Sequence, residues 1–133
     1  MTLRIVRLGQ PRERDEGLRI GTVRRPPRGV PKSDFAKRDF YDVWLPDLAP
    51  SDALLKGAHA AAETERSWRA FARKFRAELA RPEAKRLLDL LAALSHGADL
   101  SVGCYCEDES RCHRSLLREQ LAARGAKLSE REQ

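Results

Sequence analysis

A chain of 133 residues carrying a net charge of +6 is long enough to bury a core without disulfide or metal staples, and short enough that one domain is the default. No apolar run approaches the roughly 20 residues needed to cross a bilayer, and no long apolar stretch follows Met1-Thr2-Leu3-Arg4, so no membrane partner is expected and a soluble, cytoplasmic protein is. Charged residues make up 35%, against roughly 25% for an average soluble protein, and the three cysteines fall within nine positions, poor material for a secreted disulfide framework.

The charge is unevenly spread. Residues 1–38 hold eleven Lys/Arg and four Asp/Glu, net +7, whereas residues 39–133 hold fifteen and sixteen, net −1. Clustered guanidinium groups suit phosphate oxygens, so a phosphate-containing small molecule or a nucleic acid is the expected partner.

In chain order, Leu3–Leu8 alternates apolar and polar residues and Leu18–Val23 is rich in β-branched residues; both read as strands. Arg24-Arg25-Pro26-Pro27-Arg28-Gly29-Val30-Pro31-Lys32 interrupts regular structure, because its prolines lock φ and remove donors. The apolar cluster from Asp39 to Leu48, broken by Pro46, reads as a short helix or an extended segment, and Ser51 offers an N-cap for a short helix through Gly57. Trp68, Phe71, Ala72, Phe75 and Leu79 fall at i, i+3, i+4, i+7 and i+11, the stripe of an amphipathic helix beginning near Glu63. Pro82 can open the next helix, with Gly97 as its stop. Asp99–Cys106 reads as a buried strand, followed by an acidic loop and a helix from about Arg111 to Arg124, ended by Gly125. The expectation is an α/β protein: a single small domain over residues 1–126, a short central sheet flanked by helices, and a polar C-terminal tail over 127–133 that frays.

The chemistry concentrates in Cys104-Tyr105-Cys106-Glu107-Asp108-Glu109-Ser110-Arg111-Cys112-His113-Arg114, at a strand-to-helix junction of the kind where α/β proteins bind ligands. With Ser110 as N-cap, Cys112 would occupy the second helical position. The helix dipole, Arg111 and Arg114 would then favour its thiolate, and the free N–H groups would hold an anion. Cys112 is therefore the candidate nucleophile or redox thiol, His113 the proton donor or acceptor, and Cys104 and Cys106 its thiol partners. No cofactor is predicted in this reading. The alternative is a zinc site at Cys104, Cys106, Cys112 and His113, although Cys-x-Cys and an adjacent Cys-His pair lack the usual two-to-four-residue spacers. The Cys-x5-Arg phosphate loop of tyrosine phosphatases is not expected. Were all these groups inert, Cys104 would be a small core residue and His113 a hydrogen-bonding loop residue.

Three blocks read in order, Arg24–Lys32, Trp44-Leu45-Pro46-Asp47-Leu48-Ala49-Pro50-Ser51 and Phe71–Leu79, resemble the family of unknown function numbered 488, including its YeaO-like branch. The resemblance spans roughly Leu3 to Gly125 and implies a small α/β domain without implying a reaction. The branch pattern Asp-Arg-Leu-Trp-Pro-Arg-Gly stands here as Val23-Arg24-Arg25-Pro26-Pro27-Arg28-Gly29. Both arginines remain; the acid and the tryptophan are gone. The Cys-x-Cys followed by Cys-His-Arg is similar to other members of the wider family. Taken together, the matched positions lead to an expected pocket in which Arg24, Arg28, Arg111 and Arg114 face Cys112 and His113 around a phosphate-containing, nucleotide-like ligand. A nucleic-acid-binding module using the basic first third and a zinc-stabilised interaction domain are the alternatives. Whether the chain is an enzyme, and its oligomeric state, stay open at this level.

Overall fold

The computed structural model describes residues 1–61, 64–106 and 112–129, with side chains throughout except at 57–61. Four strands, β1 (Leu3–Arg7), β2 (Leu18–Gly21), β3 (Val43–Trp44) and β4 (Leu100–Cys104), form one sheet in the order β1-β4-β2-β3. Every pairing is parallel. The last strand in sequence thus lies between the first two, with Leu3 opposite Leu100 and Ile20 opposite Val102. All five residues of β4 are buried, as a central parallel strand requires.

Among the described residues four helices follow the expected patterns: α1 (Asp52–Ala61), α2 (Glu65–Leu79), α3 (Pro82–Leu94) and α4 (His113–Ala123). Ser51 caps α1 as expected, its Oγ accepting from Leu54 N at 3.2 Å, but the helix runs past Gly57. Thr64 caps α2, accepting from Ser67 N, so that helix starts at 65 rather than near Glu63. Pro82 opens α3. The ambiguous segment from Asp39 to Leu48 resolves into the two-residue edge strand β3 and a 3-10 turn, Pro46–Leu48. Phe75, Leu79, Leu88 and Leu117 from α2, α3 and α4 meet Leu3, Ile20, Leu100 and Val102 in the main core. Burying such side chains contributes about 1.5–3 kcal/mol each relative to exposure.

A smaller apolar cluster joins Leu8, Val23 and Tyr41 to Cys104 and Cys112, with Phe35, Phe40 and Tyr105 packed against it. Helices therefore do not supply this cover; the segments 22–42 and 104–105 supply much of it. Gly21 makes the arrangement possible, since a Cβ there would lie 2.4 Å from Tyr41 Cδ2. Arg19 anchors the same segment. Its side chain is 1% exposed and pairs with Glu16, also 1% exposed, through Nε to Oε2 and Nη2 to Oε1, both at 2.7 Å. Its Nη1 donates to Gln10 O at 2.8 Å and Asp39 O at 2.6 Å. Asp42 accepts from Arg19 N at 2.9 Å and from Arg12 at 2.7 and 3.0 Å.

The beginning of the polar tail does not fray. Leu3 N donates to Lys127 O and Ser129 N to Leu3 O, so Leu128 bridges Leu3 in parallel and covers the β1 edge. Residues 130–133 lie outside the described residues. Among the described residues, no helix is long and apolar enough to cross a membrane.

Candidate metal centre

The sheet delivers its sulfur chemistry at the carboxyl end of the central strand. β4 stops at Cys104, two residues earlier than the expected strand, which frees Cys106 to turn back rather than project a further strand step away. From the opposite side, Cys112 occupies the N-cap of α4, with φ −121° and ψ 153°. The expected cap, Ser110, and the expected cation Arg111 lie outside the described residues. Cys112 is therefore not in the first turn of the helix: an extended residue joins sheet to helix and aims its side chain at the strand end.

The three sulfurs meet. Cys104 Sγ and Cys112 Sγ are 2.7 Å apart, and the Sγ atoms of Cys104, Cys106 and Cys112 all lie within 4.8 Å of one another. Cys104 is 1% and Cys112 2% exposed, whereas Cys106 is exposed. Their protons divide unequally. Hydrogen bonds from Cys104 and then Cys112 hold the Cys106 thiol far below the ordinary thiol range against the opposing effect of burial, helped by the charge of Arg114. Cys104 is pushed up by its hydrogen bonds to Cys106 and Cys112 and by burial. For Cys112, the bond with Cys104 lowers the pKa, but the bond to Cys106 together with burial prevails and raises it to about 11. These directions single out Cys106, expected only as a thiol partner, rather than Cys112 as the thiol whose pKa is lowered.

His113, at the first position of α4, is held on both sides. Its Nε2 lies 2.7 Å from Thr22 O; a carbonyl oxygen only accepts, so Nε2 carries the proton and Nδ1 presents its lone pair. That lone pair lies 3.7 Å from Cys112 Sγ. Phe75 meets the ring edge-on at 5.7 Å, and burial lowers the pKa of the imidazole, which favours the neutral form. His113 does not join the group of mutually close ligand atoms, so the four-ligand set Cys104, Cys106, Cys112 and His113 reduces to three sulfurs with the histidine beside one of them.

The arginines separate. Arg114 belongs to the site: it is 4% exposed, its Nη2 donates to Cys106 O, and its Nε has no hydrogen-bond partner among the described residues. Arg24 is instead a brace. Its Nε donates to Pro50 O and its Nη2 to Ala49 O, both at 3.0 Å, while Glu78 accepts from the N and Oγ of Ser51. The Leu-Ala-Pro-Ser block is thus gripped by one cation and one carboxylate, a structural duty that leaves Arg24 little freedom to clamp an anion. Arg28 is exposed. Cys112 and Arg118 do stand at Cys-x5-Arg spacing, contrary to expectation. Yet residues 113–118 are helical and Leu116 and Leu117 are buried, so this backbone cannot wrap a phosphate as a phosphatase loop does.

Three convergent thiols are a ligand set that could hold a soft metal ion. The short spacers do not prevent this, because the ligands come from the end of a strand, the turn after it and a helix cap rather than from one knuckle.

The family model described as "DUF488-N3a: Active DUF488-N3 subclade" matches residues 3–125, which include every element described above. The chain is also similar to the Uncharacterized protein YeaO of Escherichia coli (strain K12), 34% identical over 92 residues, 68% of this chain and 74% of that protein. No solved structure matches it. The chain belongs to the DUF488 family, of the uncharacterised YeaO-like kind.

Proposed function

We propose that this protein binds a thiophilic metal ion, zinc foremost, through Cys104, Cys106 and Cys112, and that the ion works with one coordination position open to an outside ligand. The single observation behind the reading is the meeting of three Sγ atoms within 4.8 Å at the carboxyl end of the central strand. Three protein ligands, as found among the described residues, with a fourth position for an outside ligand are the pattern of catalytic rather than structural zinc. Such an ion would supply Lewis acidity at that position. The neutral Nδ1 of His113, fixed by Thr22 O, is placed to take a proton beside Cys112. The word "Active" in the family description is in keeping with a working site.

The test is metal analysis of protein purified under reducing conditions without chelator. The wild type is expected to carry close to one ion per chain, and the Cys106→Ser and Cys112→Ser variants to lose most of it. Retention of the ion by both variants would remove the reading.

A phosphate-containing ligand is the second reading, favoured by Arg114. A guanidinium 4% exposed whose Nε has no partner among the described residues has donor capacity to offer an anion. Inorganic phosphate should then raise the melting temperature of the wild type, and Arg114→Met should abolish that rise. An equal rise in both proteins would exclude Arg114 as the anion's holder.

A further inference from the structure

The geometry points to a second activity of the same three sulfurs: a hydroperoxide oxidises them in three steps to a Cys104–Cys112 disulfide, and the oxidised centre releases its ion. The release rests on the metal reading above; the oxidation does not.

The three thiols have separate positions that suit separate steps. Cys106 is the exposed one, and a reagent in solution meets it first. Cys104 and Cys112 are buried, eight positions apart, with sulfurs at 2.7 Å, nearer than the ~3.5–4.0 Å of ordinary non-bonded carbon contacts. Both lie within 4.8 Å of the Cys106 sulfur. Peroxide therefore meets one sulfur, while the closest pair is the other two.

The chemistry balances. The Cys106 sulfur attacks the outer oxygen of the hydroperoxide; the O–O bond breaks, giving a Cys106 sulfenic acid and one molecule of alcohol, or of water from hydrogen peroxide. The Cys112 sulfur then attacks the sulfenic sulfur, displacing water and forming a Cys106–Cys112 disulfide. Finally the Cys104 sulfur attacks Cys112, returning Cys106 as a thiol and leaving the Cys104–Cys112 bridge. Two thiols have lost two electrons and two protons, and the peroxide has been reduced. The ion is left with one thiolate in place of three, too few to hold it. The direction of the relay, from exposed to buried sulfur, returns Cys106 as a thiol and leaves the oxidation in the buried pair.

The reduced, metal-free protein is treated with one equivalent of tert-butyl hydroperoxide, alkylated and digested. The expected product has lost two hydrogens, links the Cys104 and Cys112 peptides and carries the alkyl group on Cys106. Cys106→Ser, a change at an exposed position, should fold as the wild type by circular dichroism and react at least about tenfold more slowly. A stable bridge through Cys106, a bridge between chains, a sulfinic acid at Cys106, or an undiminished rate in Cys106→Ser would each overturn the proposal. In a parallel arm, zinc-loaded protein should release its ion in step with disulfide formation; disulfide formation with the ion retained would overturn the release. If no zinc loads at all, the metal reading fails while the metal-free arm still decides the oxidation.

Discussion

Removing one member of the Glu16–Arg19 pair should destabilise the protein more than any single surface change. Both side chains are 1% exposed, and breaking a buried pair by deleting one partner costs about 3–5 kcal/mol, because the other charge is left uncompensated. In Arg19→Met, the Glu16 carboxylate loses both of its 2.7 Å donors, and the carbonyls of Gln10 and Asp39 lose theirs. The upper part of that range applies. Unfolding entropy for a chain of this length is about 0.3 kcal/mol/K, so 4–5 kcal/mol corresponds to a fall of about 13–17 °C in melting temperature. In Glu16→Gln the guanidinium keeps its two carbonyls and the loss is nearer about 3 kcal/mol, roughly 10 °C. The double variant Glu16→Leu/Arg19→Met buries no charge and takes the Arg19 donor from Gln10 O and Asp39 O, of which Asp39 O still accepts from Gly9 N at 2.8 Å, so the loss is that of one carbonyl, about 1–3 kcal/mol. It should therefore melt above Arg19→Met. Denaturation followed by circular dichroism on the wild type, both singles and the double measures this coupling. Losses that simply add would refute the reasoning. Because Arg19 also holds the segment bearing Tyr41 against Cys104 and Cys112, the singles should bind metal less well than the double.

Gly21→Ala places a methyl 2.4 Å from Tyr41 Cδ2 and should cost about 1–3 kcal/mol by overpacking, read as a melting shift of about 4–10 °C; an unchanged midpoint would show that the ring moves freely. Tyr41→Phe should be neutral or stabilising, since the hydroxyl it deletes is buried without a partner among the described residues, and a loss above about 1 kcal/mol in urea titration would contradict the packing described. Burial raises the pKa of Asp42, but the hydrogen bonds from Arg12 and Arg19 N and their charges bring it below its ordinary value. Its contribution is therefore complete above pH ~4 and lost as pH falls through the lowered folded value. Asp42→Asn should melt lower than wild type at pH 6, with the difference shrinking towards pH 2; a constant gap would assign the effect to something other than this carboxylate.

The helices were legible because their signals are local: the spacing of Trp68, Phe71, Phe75 and Leu79, the hydroxyl of Ser51, the fixed φ of Pro82. Strand order was not, since parallel pairing is decided by the whole chain, and no local signal places Leu100–Cys104 between Leu3–Arg7 and Leu18–Gly21. Arg19 was hidden for a related reason, as an arginine in a strand reads as solvent-facing until the loop that supplies its acceptors folds over it. Arg24, just ahead of Pro26 and Pro27, resembled an anion clamp; its partners at Ala49 and Pro50 are 25 and 26 positions away. The sulfur site was half legible. Cysteine density marked the place, and Arg114 was named for it. The short Cys-x-Cys spacer counted against a metal because it lacks the usual two-to-four residues, and the strand was drawn through to Cys106. Once β4 ends at Cys104 and a cysteine rather than an oxygen-bearing residue takes the N-cap, the three sulfurs converge.

Titration of the reduced, metal-free wild type with cobalt(II) under argon bears most directly on the metal centre. The account predicts saturation at one ion per chain with a near-ultraviolet thiolate-to-metal absorption of the intensity of three sulfurs, reduced in each single cysteine-to-serine variant. Saturation without that absorption, or no binding at all, would contradict it.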